Sequence, residues 1–207
     1  MPAAPIRILA VAALAIAALV GLAVWDGHAR ATGVEVMLRI ERVDPRALLS
    51  GHYVAIDTTE SLAAGQACPP GAAISDSPPP SRNSADSELW IALARRGDHA
   101  SAVGASRDRA AAARFAPLLV RGRAYCRPPT AASEGDSQAW PGALTLRLGI
   151  DRFYASQAEA TRIANLLPPT GPDATAEVSA IVSIGQDGKA RLKGLLVQGR
   201  RIEPSLL

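Results

Sequence analysis

The sequence predicts an α+β fold, mainly antiparallel β, in a single extracytoplasmic domain that follows one N-terminal transmembrane helix. Three observations support this fold class. Residues 8–25 carry no charged side chain, several later segments alternate apolar and polar residues as half-buried strands do, and one clear helix signal follows at residues 156–167. We assign residues 1–31 to the membrane segment and residues 32–207 to the domain.

The apolar run would form a helix roughly 27 Å long, which is enough to cross a bilayer. The basic start at Arg7 and the Ala29-Arg30-Ala31 step also fit a cleaved secretory signal. Cleaved signals usually contain an apolar region of about 7 to 15 residues, and this run is longer. We therefore favour an uncleaved anchor in the inner (cytoplasmic) membrane. The short tail before it predicts that the domain lies in the periplasm or outside the cell.

Strand character comes from period-two alternation or from β-prone residues between turn signals. The predicted strands are residues 34–42, 53–58, 88–95, 118–126, 144–151, 176–184 and 190–200. The last two are joined across Gly185-Gln186-Asp187-Gly188, a strong hairpin signal. Residues 97–114 carry a weaker pattern, which we read as a short strand near residues 99–104 followed by an alanine-rich stretch of about two helical turns.

Turn and helix signals complete the pattern. Asp44 and Pro45 predict one helical turn between the first two strands, as cap and first helical residue. Ser156 and Glu159 form a capping box that opens the helix at residues 156–167. Residues 59–86 and 127–142 are rich in proline, glycine and serine. We expect surface loops there, the first without any buried element.

Cys68 and Cys126 are the only cysteines, and neither belongs to a metal-binding spacing. In an oxidising compartment the default is one disulfide. Two unpaired buried cysteines are the alternative.

The formal net charge is +3, and arginine supplies nearly all of the positive charge because Lys189 and Lys193 are the only lysines. The arginines are scattered, so we expect no nucleic-acid partner. A weak preference for anionic lipid headgroups is the better interpretation for a domain beside a bilayer.

The segment Asp44-Pro45-Arg46-Ala47-Leu48-Leu49-Ser50-Gly51-His52-Tyr53-Val54 resembles the defining motif of the GDYXXLXY family of membrane-anchored bacterial proteins. The segment from Gly149 to Ala160 resembles the later glycine-acid-aromatic strand of that family. Gly51 and Tyr53 match the motif, whereas His52, Ile56 and Thr58 replace its aspartate, leucine and second tyrosine. The resemblance implies an exported, anchored domain, often paired with a polytopic membrane protein, and no established activity.

The two resembling segments predict a candidate interaction surface if they lie on neighbouring strands. Arg46, Tyr53, Arg152 and Tyr154 would then present guanidinium and phenol groups to a carboxylate, a headgroup or a partner loop. The alternative is that the tyrosines pack and the arginines pair with Asp44 and Asp151. The full candidate motif is Asp44, Pro45, Arg46, Gly51, Tyr53, Arg152 and Tyr154.

Catalytic chemistry has little support in the sequence. His28, His52 and His99 lack metal-ligand spacing, and we expect His99 in a loop. Ser50 lies too close along the chain to His52 for a nucleophile and its base. The acidic candidates for a paired-carboxylate site are Asp44, Asp57, Asp151 and Glu159. We therefore expect no catalytic residue, no metal and no cofactor.

Three hypotheses follow. The first is a non-catalytic accessory or assembly partner of an integral membrane protein, anchored in the bilayer through residues 8–25. The second is a periplasmic sensor or small-ligand binding module, which would need a pocket with convergent polar groups. The third is an envelope hydrolase, which would need two carboxylates within reach in a cleft.

Overall fold

The structure is a computed structural model that describes residues 3–42, 53–63, 65–75, 87–129, 142–154, 162 and 178–203. Its elements are α1 (Ala3–Thr32), β1 (Val34–Arg39), β2 (Glu41–Arg42), β3 (Tyr53–Leu62), β4 (Ala73–Ile74), β5 (Leu89–Arg96), β6 (His99–Ser106), α2 (Arg109–Ala113), β7 (Leu118–Arg127), β8 (Gly142–Arg147), β9 (Arg152–Tyr154), β10 (Val178–Ile184), β11 (Ala190–Val197) and β12 (Arg200–Ile202). An apolar helix thus precedes a domain of largely antiparallel sheets, which confirms the predicted fold class.

Helix α1 is apolar on all sides and exposes its large side chains, with Leu14 73% accessible. Within it, Arg7–Thr32 is long and apolar enough to cross a membrane, by length and composition. The helix ends at Thr32, whose hydroxyl donates to the carbonyl of His28 at 2.9 Å. Only Gly33 separates it from β1, so the apolar helix leads directly into the domain.

The smaller sheet has the strand order β1-β10-β11-β12. Residues 185–188 form the predicted turn between β10 and β11, in which the N–H of Gly188 donates to the carbonyl of Gly185 at 2.9 Å. Gly188 has φ +76°, a left-handed conformation that glycine adopts without strain. The hairpin prediction is confirmed.

The larger sheet has the strand order β2-β3-β8-β7-β5-β6, with β9 added on β3 and β4 added in parallel on β7. Ile40 alone separates β1 from β2, so one extended segment passes from the smaller sheet to the larger. Both sheets contribute to a single core. Its fully buried residues include Leu38, Ile91, Val120, Leu144, Phe153 and Leu195.

The prediction that residues 59–86 form a surface loop without buried elements is wrong for residues 59–62. Strand β3 continues through Leu62, which is 2% exposed, because its alternation carries on through Thr58 and Glu60 toward the core. Residues 65–75 are tied to the sheet as well, by the Cys68–Cys126 disulfide, by β4, and by a hydrogen bond from the Ala105 N–H to the Pro70 carbonyl at 2.7 Å. The bonded cysteines confirm the predicted pair.

Three further expectations are corrected. His99 is not in a loop but begins β6, where pairing with Arg96 closes the β5–β6 hairpin. The strand predicted over residues 190–200 is two strands, since Gln198 and Gly199 adopt positive φ and turn the chain back into β12. The strand predicted over residues 144–151 ends at Arg147, before an insertion described below.

Residues 97–114 contain the expected strand and the expected helical stretch in succession, as β6 and the short helix α2. The Asp108 carboxylate caps α2 by accepting from the N–H groups of Ala110 and Ala111. The capping-box helix at residues 156–167 lies outside the described residues except for Arg162, and the turn at Asp44 lies wholly outside them.

Candidate functional site

The site begins with an irregularity opposite β3. Thr58 of β3 pairs with Leu146 of β8, whereas Ala55 pairs with Arg152 of β9. The chain therefore advances three residues along β3 but six residues along the partner segment from β8 to β9. The partner segment thus contains an insertion of three residues. Gly149, in this insertion, has φ +76°. Insertions of this kind bend a strand and re-aim its side chains, and they recur beside functional sites.

Next to this insertion, a row of charged residues crosses three strands of the larger sheet and reaches the start of β5. Asp57 on β3 contacts Arg147 on β8, and Arg147 lies opposite Arg123 on β7. Glu88, just before β5, continues the row, because its neighbour Leu89 pairs with Gly122. The immediate chain neighbours of these charged residues point to the core, since Ile56, Thr58, Ala124 and Leu146 are all buried. The row therefore lies on the outer side of the sheet.

Two ion pairs organise the row. Arg147 donates to the Asp57 carboxylate, with both side chains about three-quarters buried. Arg121, on the same side of β7, donates to Glu88 at 2.7 Å, and both of these side chains are more exposed. The Nε of Arg147 is buried and has no hydrogen-bond partner within the described residues. A buried N–H without an acceptor costs about 1–3 kcal/mol, so a bound group that reached this guanidinium would recover that cost.

These side chains line an open cleft of about 230 Å³ between β3, β7 and the insertion. Its charged residues are Asp57, Glu88, Arg121, Arg123, Arg147 and Asp151. We name it the arginine cleft. Its floor requires a glycine at position 122, because a Cβ there would lie 2.5 Å from the Arg147 carbonyl oxygen and 2.7 Å from a Leu148 methyl carbon.

The structure places only some of the sequence-predicted site residues. Strands β3 and β9 are neighbours, so that Tyr53 lies opposite Tyr154 and Ala55 opposite Arg152. Tyr154 is 55% exposed and Arg152 is exposed. Asp44, Pro45, Arg46 and Gly51 lie outside the described residues. The β3–β9 pair adjoins the arginine cleft, because the Ile56 N–H donates to the carbonyl of Asp151, a cleft residue.

Sequence reasoning singled out Asp57 and Asp151 but missed Arg147, which binds Asp57. The available signal was the alternation of residues 144–151, in which Arg147 stands between two core leucines. A charged residue at that place in a half-buried strand indicates a polar outer side. The pairing with Arg123 required knowledge of the register, which the sequence does not reveal.

Two acidic candidates, Asp57 and Asp151, do line one cleft, together with Glu88. Glycosidase carboxylates face a bond across an open gap. Here the Asp57 carboxylate is bound by Arg147 and the Glu88 carboxylate by Arg121.

A serine and a histidine distant in sequence also meet. The His99 Nε2 lies 2.6 Å from the Ser179 Oγ. Ser179 is 1% exposed, so its hydroxyl is closed to a substrate, and the contact joins β6 to β10 across the core. Within the described ranges, no group of three His, Cys, Asp or Glu side chains could hold a metal ion.

The junction between the helix and the smaller sheet carries the strongest electrostatic cluster. Arg191 on β11 is 8% exposed, donates from Nε to Asp26 of α1 at 2.8 Å, and contacts both carboxylate oxygens of Asp187 at 3.0 and 3.2 Å. The hydrogen bonds from Arg191 lower the pKa of Asp187, and the Asp187 carboxylate raises the pKa of Arg191. A hydrogen bond from Lys193 likewise lowers the pKa of Glu35 on β1.

Together, these features define a class of protein: a β-rich domain joined directly to an apolar helix, with a charged cleft on its larger sheet. The family model described as GDYXXLXY protein matches residues 15–195, most of the chain. The chain belongs to the GDYXXLXY family. Searches of the curated proteins and of the solved structures returned no match.

In this family member the motif positions from Tyr53 onward form the start of β3. Ile56, at the position of the motif leucine, is 3% exposed and packs in the core. Thr58, at the position of the second motif tyrosine, is buried and donates from its hydroxyl to the Leu146 carbonyl at 2.8 Å. The later half of the motif therefore serves packing, and Asp57 between these two residues turns outward to the arginine cleft.

Proposed function

We propose that this protein is a membrane-anchored accessory or assembly partner of an integral membrane protein, with its domain outside the cytoplasm. The observation that carries the proposal is the exposure of the large apolar side chains of α1 between Ile8 and Trp25, which find no partner surface in the described part of the domain. An apolar surface of that size requires either lipid or another helix around it.

The way the helix meets the domain supports this function. Gly33 leaves no room for a side chain, since a Cβ there would lie 2.2 Å from the Ser183 hydroxyl. The Asp26–Arg191 ion pair adds a second attachment on the helix. A domain attached at two points is held in one orientation to the bilayer, which suits a partner that is itself fixed in the membrane.

The arginine cleft is the contact surface we assign to that partner. It is open, and it carries three carboxylates and three arginines, which suits a partner segment with both acidic and basic groups. Such ion pairs set specificity and register at interfaces more than they add affinity.

The test is cross-linking of the full-length protein in its own membranes, followed by capture and identification of the bound proteins. One variant combines Asp57→Asn with Arg147→Gln, which removes the central ion pair of the cleft at nearly constant volume. The matched control combines Arg201→Gln with Glu203→Gln, an exposed ion pair outside the cleft with N and O at 3.1 Å. A third form replaces the anchor by a cleavable signal.

We expect one polytopic membrane protein with the native chain and with the control variant. The cleft variant should recover it at least about tenfold less, which corresponds to a loss of about 1.4 kcal/mol of binding free energy. Release from the anchor should also weaken recovery. Equal recovery with the cleft variant would reject the cleft as the contact surface. Absence of any membrane protein from the native sample would reject the accessory function.

A small anionic ligand is the second candidate, since three arginines line the same cleft. Arginine binds carboxylates and phosphates through paired N–H donors. A ligand that binds the folded state raises the melting temperature of the protein. Citrate, succinate and phosphate should then raise it for the native chain and not for the variant Arg123→Gln with Arg147→Gln. No shift with any of these anions would exclude this candidate.

A further inference from the structure

Outside the cleft-partner contact, the tip of the β10–β11 hairpin forms a second cluster with an aromatic residue of β5. A Cβ added to Gly188 at this tip would lie 2.4 Å from the ring of Trp90 and 3.0 Å from Arg121, so the turn packs directly on both side chains. The Gly188 carbonyl also accepts from the Arg121 N–H at 2.7 Å. The hairpin tip is therefore in direct contact with Trp90 and with Arg121 of β7.

Two arginines lie over the Trp90 ring. The guanidinium carbon of Arg109, in α2, is 5.1 Å from the ring centroid, and that of Arg121 is 5.8 Å away. Both distances are within the range of cation–π interaction. Lys189, next to Gly188 in the turn, is exposed. We name Trp90, Arg109, Arg121 and Lys189 the tip cluster.

The anchor sets the height of this cluster relative to a bilayer. Asp26 is the first charged residue after the apolar run, so it lies where the hydrocarbon ends. Arg191, at the base of the hairpin tip, binds Asp26. The hairpin thus reaches back along the last six residues of α1, about 9 Å at 1.5 Å per residue. That depth corresponds to the headgroup layer.

The acidic groups around the tip cluster are already bound by donors. Asp187 and Asp26 contact Arg191, Glu88 accepts from Arg121, and the Asp108 carboxylate accepts from two N–H groups of α2. Arg109 forms no ion pair with any described residue. Tryptophan and arginine are a favoured combination at the interface between lipid and water.

From this geometry we propose that the tip cluster is a binding site for the phosphate of anionic lipid headgroups, with Arg109 and Lys189 as its charged ligands and Trp90 as its interfacial anchor. The inference rests on the proposed membrane anchoring. Guanidinium and phosphodiester groups form paired, charge-assisted hydrogen bonds. Each basic side chain near an anionic leaflet favours that lipid by about fivefold.

The experiment uses the full chain in lipid nanodiscs, with Trp25→Phe and Trp140→Phe so that Trp90 is the remaining tryptophan. The nanodiscs contain phosphatidylcholine, with or without phosphatidylglycerol, and a trace of either lipid with a nitroxide on its headgroup. Quenching of Trp90 fluorescence reports contact between the cluster and that headgroup. Unlabelled phosphatidylglycerol or inorganic phosphate is then added as competitor.

We expect the nitroxide lipids to quench Trp90 fluorescence. The mole fraction of labelled lipid that gives half of the maximal quenching should be severalfold lower for phosphatidylglycerol than for phosphatidylcholine. The variant Arg109→Gln with Lys189→Gln should lose most of that preference. Arg121 is left intact because it also lines the arginine cleft. The matched control, Arg127→Gln with Arg200→Gln, removes two exposed arginines far from the hairpin tip and should keep the preference.

The outcomes separate this inference from the proposed function. A chain that stays in the nanodisc but shows no quenching of Trp90 refutes the tip cluster and leaves the anchoring intact. Equal quenching by both lipids, or a preference that survives in the double variant, also refutes it. Competition by phosphatidylglycerol and not by inorganic phosphate supports the lipid as the ligand. A chain that leaves the nanodisc rejects the anchoring and this inference together.

Discussion

Replacing Arg191 by methionine tests how the domain is attached to its helix. Arg191 is 8% exposed and holds two carboxylates, Asp187 and Asp26. Methionine has a similar length and no charge, so the substitution removes the hydrogen bonds and leaves little empty volume. We expect both the folded domain and its orientation on α1 to be weakened.

The magnitude follows from the exposure of the partners. Breaking a buried ion pair by removing one partner costs about 3–5 kcal/mol, because the other charge is left uncompensated. Here Asp187 is 25% and Asp26 61% exposed, so water recovers part of that cost. We therefore expect Arg191→Met to lower the free energy of unfolding by about 2 kcal/mol. Asp26→Asn breaks only the exposed contact and should cost about 0.5 kcal/mol.

The assay is urea unfolding of the full chain in detergent micelles, followed by circular dichroism of the β structure. The double variant completes a cycle that isolates the Asp26–Arg191 interaction. If Arg191→Met costs less than about 0.5 kcal/mol, or if Asp26→Asn costs as much as Arg191→Met, the buried arrangement described above is wrong.

Three further predictions concern other parts of the fold. Replacing both cysteines of the Cys68–Cys126 disulfide by alanine should cost about 4 kcal/mol by chain entropy for a separation of 58 residues, and denaturant titration with a reduced native control checks this. Gly122→Ala should lower stability by about 1–3 kcal/mol because its Cβ would meet a backbone oxygen of Arg147, and a mild melting-temperature change would contradict that packing. The lowered pKa of Asp187 contributes stability that is present above its ordinary value of 3.8 and is lost as the pH falls through the folded-state value. The denaturant concentration at the midpoint of unfolding should therefore decrease as the pH is lowered below about 4. In the variant Asp187→Asn this decrease should be smaller.

The local elements with strong periodicity were predictable from sequence. The apolar run at residues 8–25, the alternation of residues 34–42 and the glycine turn at 185–188 all carry their own signals, and the structure contains the corresponding helix, strand and hairpin. The failures arose where composition competed with pattern. Residues 59–62 were assigned to a loop on composition, although Leu62 continues the alternation of β3 into the core.

The candidate site was only partly predictable, for a related reason. The sequence identifies Asp57 and Asp151 as acidic residues at strand ends, and it predicts a shared surface for Tyr53 and Tyr154 if their strands are neighbours. Which strands pair, and in which register, depends on contacts between residues far apart in sequence. The three-residue insertion between β8 and β9 is visible only once both pairings with β3 are known.

The apolar helix, the antiparallel β domain and the family of this protein follow from local pattern and motif in the sequence, and the count of two cysteines favours a disulfide over two unpaired thiols. Only the folded chain reveals that the disulfide forms, that Arg147 meets Asp57, that Arg191 reaches back to Asp26, and that the hairpin tip packs on Trp90. The contacts of Arg147 with Asp57 and of Arg191 with Asp26 join residues that are 90 and 165 positions apart in the sequence. Side chains so distant in sequence meet only because burial of one shared core brings their strands together.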